Sequence, residues 1–368
     1  MDAYLCRRAS RAGMQPRDLS AHVPYEAGRG IEEVARGLGL DPEKLVKLSS
    51  NENPFGPAPS AVEAVREHAP AAHRYPKSAA TDLRERLADE WAVTRSQIWL
   101  ANGGDGALDC LARALLRPGE SVLVPAPGFA YYAMSARYHH GVVEEYPVRK
   151  ETGFAQTPET VLAHHDGQRV IYLTSPHNPT GSEVSASDVE AIAERTGEET
   201  LVLVDEAYGE FSERPSATAL VEERNDVAVL RTFSKAYGLA GMRLGYAIVP
   251  EAWADAYARI NTPFSASELA CRAGLAALDD DEHVGRTVET ARWAREYMAD
   301  HLDCHTFGGA GNFVLCEVGD GTEVAEAAKR EGVIVRDTTS FGLPGCVRIT
   351  CGTREETRRA VEVLNGVV

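Results

Sequence analysis

Between residues 99 and 231 the chain rises repeatedly to a short, mostly apolar run and then breaks into a loop rich in Pro, Gly, Asp or Ser. Trp99–Ala101, Ser121–Val124, Val170–Thr174, Leu201–Val204 and Val227–Arg231 are these runs. A strand with so few polar residues on either face must be covered on both. The pattern therefore predicts an α/β fold around a mostly parallel sheet. Helical patterns lie between the runs, as parallel crossovers require. Leu108, Leu111, Ala112 and Leu115 share one face, and Leu83, Leu87 and Trp91 recur four apart. Capping boxes are expected at Ser60 with Glu63, Ser187 with Glu190, and Thr353 with Glu356.

The ends differ in texture. Residues 1–49 carry one short amphipathic piece, IEEVARGLGL, and little strand signal. Late in the chain comes a long helical pattern, RTVETARWAREYMADHL, then two strands and two more helices. The expected organisation is a large domain over 50–260 and a smaller α+β domain built from 1–49 and 261–368.

The charge balance narrows the function classes. Asp and Glu total 55 against 38 Lys and Arg, a net charge of −17. Such a surface repels nucleic acids and anionic membranes, so neither is expected as a partner. Lys supplies 6 of the basic residues and Arg 32. A high-GC genome favours Arg over Lys but does not explain the acid excess, so a salt-loving source is expected. The seven cysteines are scattered, with no C-x-x-C, which suits a reduced compartment. The N-terminus has no apolar signal core, and nowhere do 18 apolar residues run together. A soluble, cytoplasmic protein is expected.

Ligands of open α/β sheets gather at the carboxyl ends of strands, so the residues after each run carry the chemistry. Asn102-Gly103-Gly104-Asp105-Gly106 follows the first run and opens a helix, which suits a phosphate. It matches neither G-x-G-x-x-G nor a Walker sequence, which disfavours a nucleotide site or a Rossmann dehydrogenase. PAPGFAYY follows the second run. Phe129 can offer an aromatic face, while Tyr131 and Tyr132 read as core packing. SPHNPTG, with Asn178 in a Pro-flanked turn, follows the third. His177 has no second ligand at metal spacing, so no metal is expected. Asp205 ends the fourth run. A carboxylate there is costly to bury without a cation, and a protonated ring nitrogen would serve.

The fifth run leads into Thr232-Phe233-Ser234-Lys235 and then Arg243. A chain that has exchanged nearly every Lys for Arg keeps Lys235 between apolar strands. Only Lys can form a Schiff base. Thr232, Ser234 and Arg243 suit further phosphate contacts.

Together SPHNPTG, Asp205, Lys235 thirty residues on, and the run Ser234-Lys235 through Leu239, Gly241 and Arg243 to Tyr246 resemble a fold-type-I pyridoxal-phosphate aminotransferase. VPYEAGRGIEEVARGLGL, LSSNENPFGP, HRYP and VIVRDTTSFGLPGCVRITCGTREE resemble, more closely, the histidinol-phosphate aminotransferases, over nearly the full length. The resemblance implies pyridoxal 5'-phosphate as cofactor, and L-histidinol phosphate and 2-oxoglutarate as substrates in ping-pong turnover within histidine biosynthesis.

It also implies roles. Lys235 would hold the cofactor and move protons, and Asp205 would pair with the ring nitrogen. Asn178 and Tyr208 would bond the ring's 3-oxygen, and Phe129 would stack on the ring. Gly104, Asp105, Thr232, Ser234 and Arg243 would hold the phosphate, joined by Tyr75 from a second copy in a homodimer. Tyr25, Asn53, Arg336 and Arg348 would bind substrate. Alternatives of similar pattern are a threonine-phosphate decarboxylase and an aromatic amino-acid aminotransferase. A non-catalytic regulator would need a DNA-binding domain for which this acidic chain has no spare length.

Overall fold

The computed structural model describes residues 14, 18–20, 22–24, 30–39, 41–76 and 78–368. Tyr25 lies outside the described residues. The large sheet takes strands β1 (Ile98–Asn102), β2 (Ser121–Ala126), β3 (Val142–Pro147), β4 (Val170–Thr174), β5 (Leu201–Asp205), β6 (Val227–Thr232) and β7 (Leu244–Ile248) in the order β1-β7-β6-β5-β4-β2-β3. All pairings among them are parallel except those of β7, which runs antiparallel to β1 and β6. The five apolar runs are strands, and three of them extend to take in the polar residue that follows: Asn102, Asp205 and Thr232. β4, β5 and β6 are buried at every position. β3, at the edge, is largely exposed and keeps Glu144 and Glu145, as an edge strand can, with Tyr146 its one buried residue.

Strand alternation sorts residues onto two faces. Val202, Val204, Val227 and Val229 pack with Leu83, Leu87 and Leu100. Leu201, Leu203, Ala228 and Leu230 pack with Leu108, Leu111, Tyr132 and Tyr172. By the same parity Asp205 and Thr232 belong with the second set, and Arg231 with the first.

A second sheet holds β8 (His305–Phe307), β9 (Phe313–Glu317), β10 (Arg336–Asp337) and β11 (Cys346–Thr350), antiparallel in the order β10-β11-β9-β8. The sequence showed two strands here. β8 and β10 are only three and two residues long, too short for a periodic signal. The helices Asp281–His301, Gly321–Arg330 and Arg354–Asn365 cover this sheet. Its core also takes in Leu48, Tyr208, Phe211 and Ala236, which belong to the segments carrying the site. Glu268–Leu278 packs instead with Pro59–His68 and Ser78–Trp91 in the first core.

Helix starts correct two expectations. The box of Thr353 with Glu356 is present. Ser60 caps nothing: Pro59 occupies the first helical turn, and Ser60 Oγ donates to Asp280 at 2.8 Å. Ser185, not Ser187, caps Ala186–Thr196, accepting the Asp188 N–H at 3.1 Å.

Candidate active site

The expected residues converge where β1, β4, β5 and β6 end and β7 begins. The helix Gly103–Leu115 opens with Asn102 as N-cap and no side-chain cap, leaving its first N–H groups to other acceptors. Gly104 and Asp105 form that first turn. Arg243 Nη2 reaches Asp105 Oδ2 at 3.0 Å. A Cβ on Gly103, whose φ is +77°, would lie 2.6 Å from Arg243 Nη2, so only glycine lets the guanidinium lie against the turn. Thr232 Oγ1 donates to Ser234 Oγ at 3.0 Å and accepts the Ser234 N–H at 3.1 Å. Free helix N–H groups, paired hydroxyls and a guanidinium compose a cradle that fits a phosphate.

Asp205 is 4% exposed and makes no ion pair among the described residues. Burial pushes its carboxyl up to about 6, while the Tyr132 hydroxyl and the Ala207 N–H pull it down. Their hydrogen bonds measure 2.6 and 2.9 Å. A buried carboxylate held by two donors but lacking a cation fits the protonated ring nitrogen of pyridoxal phosphate. Lys235 is half-buried, with Nζ 3.5 Å from the Ser50 carbonyl oxygen and 5.6 Å from the centre of the Tyr208 ring.

Asn178 Oδ1 accepts from Arg348 Nη1 at 2.5 Å, and Arg348 Nη2 donates to the Ser49 carbonyl at 2.9 Å. Arg348 on β11 thus ties the second sheet to the loop after β4. Arg336 stands directly opposite it on β10. The two guanidinium carbons lie 5.6 and 5.7 Å from the centre of the Phe341 ring. Like charges in cross-strand register repel, so an anion between them is favoured.

Other expected residues sit further out. Phe129 packs its ring edge-on to Tyr132, centroids 5.5 Å apart. Asn53 Nδ2 donates to the Ala236 carbonyl at 2.8 Å and to Thr287 Oγ1 at 3.1 Å, which anchors the segment beside Lys235. Tyr75, 73% exposed, stacks on the exposed Phe264 at 4.7 Å. His177 is fully buried between Thr180 Oγ1 and the Pro127 carbonyl, and burial lowers its pKa to about 4.

Three features escape sequence reading. Tyr132 packs in the core as expected, stacked on Tyr172 at 4.8 Å, yet its hydroxyl also holds Asp205. Arg231 bridges Glu206 and Glu210 on the opposite sheet face, both at 2.7 Å, with its guanidinium over Trp91. That buried triad pins the ends of β5 and β6. Asn51 donates to the Tyr208 hydroxyl at 3.0 Å. The motif LSSNENPFGP draws attention to this segment, but only the tertiary contact separates Asn51 from Asn53.

The family described as aminotransferase class I and II matches residues 43–364. A relative from Natronomonas pharaonis, named histidinol-phosphate aminotransferase, is 73% identical over 355 residues, 96% of this chain and 100% of its own. One of the same name from Haloarcula marismortui is 69% identical over 96% of this chain and 99% of its own. Among solved structures, that of histidinol-phosphate aminotransferase from Sinorhizobium meliloti in complex with pyridoxal-5'-phosphate is similar at a TM-score of 0.86. It is 27% identical and is matched over 97% of this chain and 98% of that one.

Proposed function

The chain belongs to the class I and II aminotransferases, and from that premise we infer that it moves the amino group of L-histidinol phosphate to 2-oxoglutarate, a step of histidine biosynthesis. One observation of the geometry carries the substrate reading. Arg336 and Arg348 stand in cross-strand register, each guanidinium within 5.7 Å of the centre of the Phe341 ring, and Arg348 bonds Asn178 of the proposed cofactor site. An anionic substrate is thereby held beside Lys235.

Pyridoxal phosphate, when bound, supplies the electron sink for charge released at the substrate's Cα. Lys235 Nζ would take the proton from the substrate's Cα and hold it for redelivery as the amino group moves; such acid–base help is typically worth about 10²–10⁴-fold. Asp205 keeps the ring nitrogen protonated, and Tyr132 and Ala207 hold its carboxylate in place. Asn178 and Tyr208 hydrogen-bond the 3-oxygen. Gly104, Asp105, Thr232, Ser234 and Arg243 hold the phosphate, and Phe129 covers the ring. Arg348 takes the carboxylate of 2-oxoglutarate or, with Arg336 and Tyr25, the phosphate of the other substrate.

The functional unit is a homodimer in this reading. Exposed aromatics of the size of Tyr75 and Phe264, stacked on one another, suit burial against a second copy, with Tyr75 entering that copy's phosphate site. We further propose two bodies, one around each sheet, with the crossing after Glu268–Leu278. A cytoplasmic location agrees with the free thiols of the described cysteines; among the described residues no helix is long and apolar enough to cross a membrane.

A donor panel tests the substrate reading. Glutamate formation from 2-oxoglutarate is expected with L-histidinol phosphate and should fall by at least about 100-fold with L-histidinol, which lacks the phosphate. Equal rates would contradict it, as would faster turnover of phenylalanine or tyrosine.

A further inference from the structure

Asn51 occupies a conformation that its residue type explains only in part. Its φ is +53°, in the left-handed region, and it is 1% exposed. Glycine adopts that backbone freely, and asparagine is among the few other residues that do so. What the side chain does there decides the matter. The backbone N–H of Asn51 donates to Thr350 Oγ1 at 2.9 Å. Thr350 Oγ1 in turn donates its proton to Asn51 Oδ1 at 3.1 Å. Among the described residues Asn51 Oδ1 is the acceptor for that hydroxyl proton, so the reciprocal pair favours the amide orientation that turns Nδ2 the other way. Nδ2 is left to donate to the Tyr208 hydroxyl, 3.0 Å away. The Asn51 carbonyl accepts from the buried Asn312 Nδ2 at 3.1 Å. The two preceding carbonyls accept from Arg348 and Lys235. Contacts from both sheets therefore hold this segment in place.

The consequence falls on Tyr208. Its oxygen already receives a proton from Asn51, and among the described residues the hydroxyl makes no other hydrogen bond. Its own proton is left to point elsewhere. We propose that Asn51 is a positioning residue that directs the Tyr208 O–H at the 3-oxygen of bound pyridoxal phosphate, with Thr350 locking the amide in the donating orientation. This rests on the reading that Tyr208 contacts that oxygen. A donor held there favours the ionised 3-oxygen, so the cofactor's visible absorbance should change with pH at a lower midpoint than it otherwise would.

The test is a pH titration of that absorbance in the cofactor-loaded protein. Asn51→Gly keeps the backbone conformation and removes the amide. Its midpoint should rise by about 0.5–1 unit, the equivalent of one hydrogen bond. Tyr208→Phe should raise it at least as far. The double variant should match Tyr208→Phe alone, because Asn51 acts only through that hydroxyl. Thr350→Val, close to isosteric and one contact removed, should move the midpoint the same way by less. A midpoint unchanged in both Asn51→Gly and Thr350→Val while Tyr208→Phe shifts it would overturn the proposal, as would additive shifts in the double variant. No shift in Tyr208→Phe would overturn the reading of Tyr208 and the proposal with it.

Discussion

Asp205 concentrates the chemistry of the site into one carboxyl group, and its burial has a consequence for stability. The folded chain holds its proton up to about pH 6, whereas an ordinary aspartate releases it near 3.8. Between those values the folded state binds the proton that the unfolded state has lost. Stability of the cofactor-free protein therefore falls as pH rises through this window, by on the order of 3 kcal/mol from this residue. Asp205→Asn does not ionise and lacks that contribution. The stability of the wild-type apoprotein relative to the variant should decline from pH 4 to pH 6.5 and then level off. Denaturant unfolding at several pH values measures this, and a constant difference would contradict the assignment. Adding pyridoxal phosphate should restore the wild type preferentially if, as proposed, its ring cation pairs with this carboxylate.

The ends of strands and the starts of helices place such groups, and one glycine at such a junction offers a test. In Gly103→Ala the methyl group would lie 2.6 Å from Arg243 Nη2, on a backbone of φ +77°. The left-handed conformation alone costs about 1–2 kcal/mol with a side chain. Cofactor affinity should fall by about tenfold or more, read from fluorescence or absorbance on titrating pyridoxal phosphate; an unchanged dissociation constant would contradict the cradle. Elements of this kind were legible in the sequence to different degrees. β4, β5 and β6 announced themselves because a strand covered on both faces has no polar alternation to obscure it. Asn178, Asp205, Lys235 and Arg243 were legible by position, since Asp205 ends such a strand and the other three lie in the loops that follow or precede one. Tyr132 and Asn51 were not. A buried tyrosine packs the same whether or not its hydroxyl meets a carboxylate. Asn51 and Asn53 differ only in what a partner more than 150 residues away does. The misplaced caps have a local cause: Ser60 and Ser187 each sit just after a better helix start, Pro59 and Ser185.

At the scale of the molecule the net charge of −17 is the governing quantity. Self-repulsion of that size weakens a compact state until salt screens it. The two relatives described come from halophilic archaea, in keeping with the same adaptation. The unfolding temperature should rise steadily from dilute buffer to molar KCl, and an equal temperature in both would contradict a salt-adapted surface. In the proposed function Lys235 bears the cofactor and meets a phosphate-bearing amine donor. A single half-reaction followed by visible absorbance tests it most directly. L-Histidinol phosphate is added to the cofactor-loaded protein in high salt, with no keto acid present. Conversion of the cofactor to its amine form is expected, reversed on adding 2-oxoglutarate. An unchanged spectrum, with carbon dioxide released from threonine phosphate instead, would contradict it.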